Sequence, residues 1–299
     1  MEENGLKKGI ITLLLCFTLW GFQPLYWSLC QGMDTFFLMA CRIIWAAVCC
    51  IVILLIQGKL PQLIAVFKDR KTVLTELAAS VFLFADWVIY LWAVRNGRVM
   101  ECSLGYYIEP IAVFAFGALV FHEKTNWKHF LVLGLIVIGI ALSVKGFGGM
   151  PYVTIALALC FACYAAIKKS LSLDSIVSTT SEIVFMVPVA VIYMLIFCRG
   201  EGGLGGLTAV KQLLLCGSGV VTALPMLFYA ISVKHLPLIT IGIFQYLSPT
   251  ISLFCGALMG ESFSEDKLIS FAFIWLGVII YIFTTFGKEH KKESMSSGQ

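Results

Sequence analysis

Four ionisable side chains stand inside long apolar runs of this 299-residue chain: Arg42, Asp86, Glu109 and Glu182. A charge at the centre of a membrane helix costs about 2.5–3.5 kcal/mol on insertion scales, so such residues are retained for a purpose. At about 1.5 Å of rise per residue, Arg42, Asp86 and Glu109 lie roughly 9, 12 and 10 Å from the same membrane surface. One arginine and two carboxylates at one level, on three successive helices, predict a buried charge cluster facing a common cavity. Two chemistries suit such a cluster. It can be a structural ion pair that fixes helix packing, or it can bind a proton or a polar solute.

Aromatic and amide residues occupy the other polar positions of the apolar runs. Trp20, Gln23 and Tyr26 are spaced three apart and share one helix face. Trp87, Tyr90, Tyr107, Gln245 and Tyr246 lie deep in later runs. Each alone reads as an interfacial belt or core residue. As a set, with the four ionisable residues, they suit the lining of a cavity for a flat or amphipathic organic molecule.

These residues need helices to position them. Hydrophobic residues make up 60% of the chain and charged ones 13%, about half the charged share of a soluble domain. Apolar runs near the roughly 20 residues that cross a bilayer recur with short polar breaks. The spans are predicted at 9–29, 36–56, 72–94, 102–121, 128–145, 150–167, 178–198, 212–232, 238–260 and 267–286. The expected fold is therefore an all-α membrane protein of ten transmembrane helices, without the two-residue alternation of a β-barrel. Lys7 and Lys8 precede the first run, but its length and its Trp20 and Pro24 argue against a cleaved signal peptide.

The chain also contains a divergent second copy of itself. An offset of 139 lays Tyr90, Val94, Tyr107 and Pro110 onto Tyr229, Val233, Tyr246 and Pro249. Offsets of 138 and 140 pair Glu123 with Glu261 and Arg42 with Glu182. Five spans per copy is an odd number, so the second copy is expected upside down, as in alternating-access carriers. The implied units are residues 1–145, residues 146–287 and a polar tail at 288–299. With the N-terminus in the cytoplasm, fourteen Lys and Arg fall on inner segments and six on outer ones, with Arg42 inside a helix. Both termini are therefore expected inside. The net charge of +4 reflects this topology and calls for no nucleic-acid partner.

Pro24, Pro110, Pro188, Pro225 and Pro249 fall within spans, where each removes a backbone hydrogen bond. Pro110 and Pro249 occupy equivalent places, and matching breaks in two inverted halves point to a central site. The eleven cysteines, Cys160 and Cys163 included, lie mostly in apolar spans and read as small core residues, so no metal or other cofactor is expected. Residues 59–71 interleave basic and apolar side chains and suit the headgroup layer. The glycine-rich stretch 200–206 lacks the ending of a phosphate loop and reads as a flexible link.

Taken together, Trp20-Gly21 with Pro24 and Tyr26, Arg42-Ile43-Ile44-Trp45, Trp92-Ala93-Val94 and Glu101-Cys102-Ser103-Leu104-Gly105-Tyr106 carry a family resemblance. So do Pro110, Glu123, Glu182 with Pro188-Val189-Ala190, Phe244-Gln245-Tyr246 with Pro249-Thr250, and Phe271-Ala272-Phe273-Ile274-Trp275. The chain resembles the RarD-type permeases, the chloramphenicol-sensitivity group in the EamA branch of the drug/metabolite transporter superfamily. The resemblance implies ten helices in two five-helix inverted repeats, cytoplasmic termini and a permease or exporter role. It also implies asparagine where this chain has Asp86 and Glu109, and hence a more acidic cavity here.

The expected function is a secondary active transporter of small organic solutes or drugs in the bacterial cytoplasmic membrane, with protons as a candidate coupling ion. Arg42 would anchor an anionic group or balance the carboxylates, with Glu101 at the outer mouth. A non-transporting membrane partner and an intramembrane enzyme are the alternatives.

Overall fold

A computed structural model of the chain describes residues 3–30, 32–96, 98–125, 127–143, 152–197, 207–259, and 272–280 except 274 and 278. The described residues form helices α1 (Glu3–Leu29), α2 (Thr35–Ile56), α3 (Leu60–Lys68), α4 (Arg70–Arg95), α5 (Val99–Leu119) and α6 (Trp127–Ser143). They continue as α7 (Tyr152–Ser170), α8 (Ser175–Phe197), α9 (Ala209–His235), α10 (Leu238–Phe244) and α11 (Leu247–Leu258). Seven helical stretches among them are long and apolar enough to cross a membrane. The expected link at 200–206, the tail at 288–299 and most of the span at 267–286 lie outside the described residues.

Local chemistry fixes the helix starts. Asp34 caps α2 by accepting the Phe37 amide at 2.9 Å, and Asp69 accepts the Thr72 amide at 2.9 Å at the start of α4. Asp174 accepts the Ile176 amide at 3.1 Å ahead of α8, and Thr208 accepts the Lys211 amide at 3.4 Å ahead of α9. Each short polar side chain satisfies an amide that the helix leaves without a partner. Asp69 is fully exposed, and its hydrogen bonds from Thr72 hold its carboxyl below the ordinary range. At the other end of α2, Gly58 turns the chain at φ 65°, while the amides of Gly58 and Lys59 close back on Leu55 and Leu54.

The expected span 238–260 is two helices. Pro249 has no N–H for the carbonyl of Gln245, so the helix stops at Phe244 and restarts at Leu247, and the Ser248 amide takes that carbonyl at 3.2 Å. The basic stretch after α2 forms α3, which buries Leu63 and Val66 and leaves Ile64 and Phe67 exposed.

Helices from the two halves of the chain interdigitate. α1 packs on α9 and α11, α2 on α8 and α9, α4 on α7 and α8, and α5 on α7 and α10. The contacts also give directions. Gly9 of α1 lies against His235 and Leu236, whereas Tyr26, near the other end of α1, reaches Leu214 of α9. We call the end holding Gly9 and His235 the proximal end and the other the distal end. α1 and α4 run proximal to distal, α7 and α9 run back, and α8 and the α10–α11 pair run proximal to distal again. Large apolar side chains such as Phe197 (70% exposed), Leu213 (73%) and Leu258 (80%) face outward, as lipid contact requires.

Small residues bring these helices close. A Cβ on Gly219 of α9 would lie 2.4 Å from the backbone carbonyl of Trp45 on α2. One on Gly242 of α10 would lie 2.6 Å from the carbonyl oxygen of Pro110 on α5. Gly134 of α6 has open space around it. Gly219→Ala should therefore cost about 1–3 kcal/mol of stability through overpacking, whereas Gly134→Ala should be neutral or stabilising. Thermal unfolding of the detergent-purified variants, compared side by side, checks this; equal midpoints would refute the close packing.

Candidate functional site

The break between α10 and α11 lies beside Pro110, and the buried polar chemistry starts there. Because Gly242 carries no side chain, α10 sits against Pro110, and the Gln245 amide at the break reaches Glu109 and donates to its Oε1. Glu109 is 3% exposed, Asp86 4% and Gln245 6%. The other Glu109 oxygen, Asp86 Oδ1 and Gln245 Oε1 have no hydrogen-bond partner. Glu109 and Asp86 are electrostatic neighbours, with Tyr106 beside both. Tyr246 is almost fully buried and donates to the Tyr107 carbonyl at 2.8 Å.

Arg42 belongs to this end of the molecule but makes no ion pair among the described residues. Its guanidinium stacks on Trp87 at 4.2 Å and on Trp27 at 5.3 Å, and its buried Nε has no partner. Of the two roles expected for Arg42, anchoring an anionic group or balancing the carboxylates, the structure shows no ion pair to either carboxylate, and two indole faces hold the cation. Tyr90 packs on Tyr106 at 5.7 Å between centroids. Arg42, Asp86, Trp87, Tyr90, Tyr107, Glu109, Gln245 and Tyr246 are thus brought into one neighbourhood.

Trp20, Gln23 and Tyr26 share a face, as their spacing predicts, and that face meets α9. Pro225 leaves the Val221 carbonyl without its intrahelical donor, and Gln23 Nε2 supplies one at 2.9 Å. Tyr26 donates to the Leu214 carbonyl. The donors of Gln23 and Tyr26 are committed to the backbone in this arrangement. Trp20 joins Phe17, Phe161 and Tyr229 in an aromatic cluster, with Tyr164 stacked on Tyr229 at 5.9 Å. The Tyr229 hydroxyl is buried without a partner, electrostatically coupled to both Glu109 and Glu182.

Glu182 stands apart from the Arg42 neighbourhood, toward the proximal end. Its Oε1 accepts from Lys168, and its Oε2 from Tyr164 at 3.3 Å. Lys168 also donates to Ser178 Oγ at 2.8 Å. Lys168 follows the predicted span 150–167 and counts among the lysines of the inner segments, yet its side chain is only 2% exposed. Glu76, near the start of α4, where a carboxylate ordinarily reaches the membrane surface, is fully buried nearby. The sequence signal for Lys168 is its i, i+4 spacing from Tyr164 on one face of α7; Glu76 carries a weaker one, a carboxylate within the span 72–94.

Two carboxylates tie helix starts across the halves. At the distal end Glu101 pairs with Arg98 at 3.0 Å and accepts the Val153 amide at 3.3 Å. At the proximal end Glu123 accepts the amides of Leu238 and Ile239 at 2.8 and 3.0 Å, with Lys169 3.5 Å away. Glu123 therefore caps α10 from another part of the chain.

The amino-terminal part of the chain, residues 7–145, matches the EamA-like transporter family. The uncharacterized transporter YojE of Bacillus subtilis is 35% identical over 95% of this chain and 96% of its own length. The chain belongs to the EamA-like transporter family. Within it the chain is of the RarD type: protein RarD of Streptomyces exfoliatus is 30% identical over 93% of this chain and 89% of its own. Protein RarD of Escherichia coli is 27% identical over 94% and 96%. One solved crystal structure shares the fold, with a TM-score of 0.75 at 17% identity over 97% of this chain and 100% of its own. These EamA relatives and the apolar helices make the chain a multi-pass membrane protein of a transporter family. Cys16, Cys30, Cys41, Cys50, Cys102 and Cys255 are buried among its helices as small core residues, whereas Cys49, Cys160, Cys163 and Cys216 are half-buried.

Glu123→Ala should loosen α10 while leaving α1 and α9 intact. Capping losses of about 0.5–2 kcal/mol correspond to roughly 2- to 30-fold faster amide exchange. Hydrogen exchange should show that acceleration at 238–241 and not at 11–28; unchanged protection at 238–241 would contradict the cap.

Proposed function

We propose that the chain is a secondary active transporter that moves small organic solutes or drugs across the bacterial cytoplasmic membrane by alternating access. The carrying observation is the buried Glu109 beside Asp86, bonded to Gln245 at a helix break and still holding unfilled acceptor positions. Buried polar atoms without partners are costly, so an arrangement that keeps three of them together is suited to bind something. A proton satisfies a carboxylate, and the polar end of a solute satisfies the rest.

In this reading residues 1–145 and 146–287 are two inverted five-helix repeats, and 288–299 is a cytoplasmic tail. Their support is the exchange of partners between the halves. α1 on α9 and α11 is matched by α7 on α4 and α5, with equivalent helices running in opposite directions. Both termini lie in the cytoplasm, on the side richer in Lys and Arg. Arg42, held between Trp27 and Trp87 with Nε free, receives an anionic or carbonyl group of the solute, and the indoles and tyrosines receive its flat apolar part. Asp86 and Glu109 carry the coupling proton. The family is one of transporters, and the chain is accordingly assigned no enzymatic reaction.

Purified protein in liposomes, tested for uptake of a panel of amphipathic solutes with and without a pH gradient, checks the proposal. Wild-type flux should rise with the gradient. Asp86→Asn and Glu109→Gln should each lose about tenfold or more of that gradient-driven component, equivalent to roughly 1.4 kcal/mol or more. Arg42→Ala should weaken solutes that carry an anionic group more than neutral ones. Solute flux indifferent to the gradient would remove the coupling role, and an absence of flux for every solute would remove the carrier.

A further inference from the structure

Glu76 is fully buried, and neither of its carboxylate oxygens has a hydrogen-bond partner. It lies on α4 at the proximal side of the aromatic cluster, six residues into the helix. α7 presents Lys168 and Tyr164 toward it, and α8 presents Ser178, Ser181 and Glu182. Ser80, one turn along α4, is occupied by the backbone carbonyls of Glu76 and Glu182 at 2.9 and 3.1 Å. Cys50 of α2 flanks Lys168 and Glu182. From α9 comes Lys234, which is exposed at the rim and shares Asp174 with Lys59.

The buried part of this group does not balance. Two carboxylates, Glu76 and Glu182, share one ammonium, and Lys168 has committed itself to Glu182 and Ser178. Lys234 faces Glu76 only from the exposed rim, beside Asp174, which already pairs with Lys59 at 2.9 Å, so water screens its charge and it makes no buried ion pair with Glu76. An unpaired ionised carboxylate in a low-dielectric interior is far costlier than a neutral one. One positive charge is missing. The surroundings do not suit a metal ion, because the Lys168 ammonium, already donating to Ser178 Oγ at 2.8 Å, stands next to the gap and would repel a second cation.

We propose that Glu76 is a protonation site, and that Lys168 is a counter-ion shared between Glu76 on α4 and Glu182 on α8, the proton residing on whichever carboxylate the lysine leaves. This site is separate from Asp86 and Glu109, and it holds whether or not the chain carries solutes. It gives the proximal end a charge register of its own: one lysine, two carboxylates on helices from different halves of the chain, and one proton.

Infrared spectroscopy of the full-length protein in lipid nanodiscs at neutral pH tests it, through the carbonyl band of protonated carboxyl groups. The wild-type minus Glu76→Gln difference should contain one such band. Glu182→Gln should lose an equal intensity, because Lys168 is then free to pair with an ionised Glu76. Lys168→Gln should gain one band as both carboxyls take protons. Unchanged intensity in both Glu76→Gln and Glu182→Gln overturns the proposal. The wild-type minus Glu76→Gln difference, which cancels the bands of Asp86 and Glu109, should be the same in sodium chloride and choline chloride. A difference band present in choline chloride and lost in sodium chloride overturns the proposal in favour of a sodium site.

Discussion

An apolar interior surrounded by lipid offers no water to satisfy a polar group, and that constraint organises this molecule. Every proline in a helix frees a carbonyl, and every buried acid needs a donor or a proton. At several points the chain meets these demands with side chains from neighbouring helices. Gln23 of α1 serves the carbonyl freed by Pro225 in α9, and Gln245 at the α10–α11 break serves Glu109 in α5. Tyr246 serves the Tyr107 carbonyl, and Trp275 donates to Thr250 at 2.8 Å. Polar satisfaction and helix association are thus the same set of contacts.

The same constraint separates two buried charge groups of different character. Near α5 and the helix break the cation is held by indole faces, and the acids keep open acceptor positions. Toward the proximal end the cation is locked onto an acid and a hydroxyl. Between them lies an aromatic cluster with Tyr164 and Tyr229 stacked at its centre. Its tyrosines carry hydroxyls that can both give and accept a hydrogen bond.

Much of this was legible in the residues. Span limits from apolar runs fall within a few residues of α2, α4, α7, α8 and α9, because apolar length is set by bilayer thickness. Asp86 and Glu109 stand at one depth in their spans and are neighbours in the fold, and Pro110, which matches Pro249, lies beside the α10–α11 break. Partner choice was less legible. Arg42 pairs with tryptophans because Trp27 and Trp87 arrive from two other helices, which spacing along α2 does not reveal. Lys168 and Lys169 stand together at the end of α7, and only the packing of α8 there brings Glu182 and Ser178 to the first of them. The commitment of Gln23 and Tyr26 to α9 carbonyls depended likewise on which helix packs beside them.

The interruption at Gln245 and Tyr246 has a mechanical meaning. α10 is fastened to α5 through Gly242 and to Glu123 at its first two amides, while α11 is fastened to α1 through Gly21, whose carbonyl accepts from Ser252 at 3.1 Å. The joint between them already lacks regular backbone bonding, so bending it breaks no helical rung. Two rigid levers meeting at a pre-cut pivot can tilt independently, and the pivot coincides with the carboxylate that Gln245 holds.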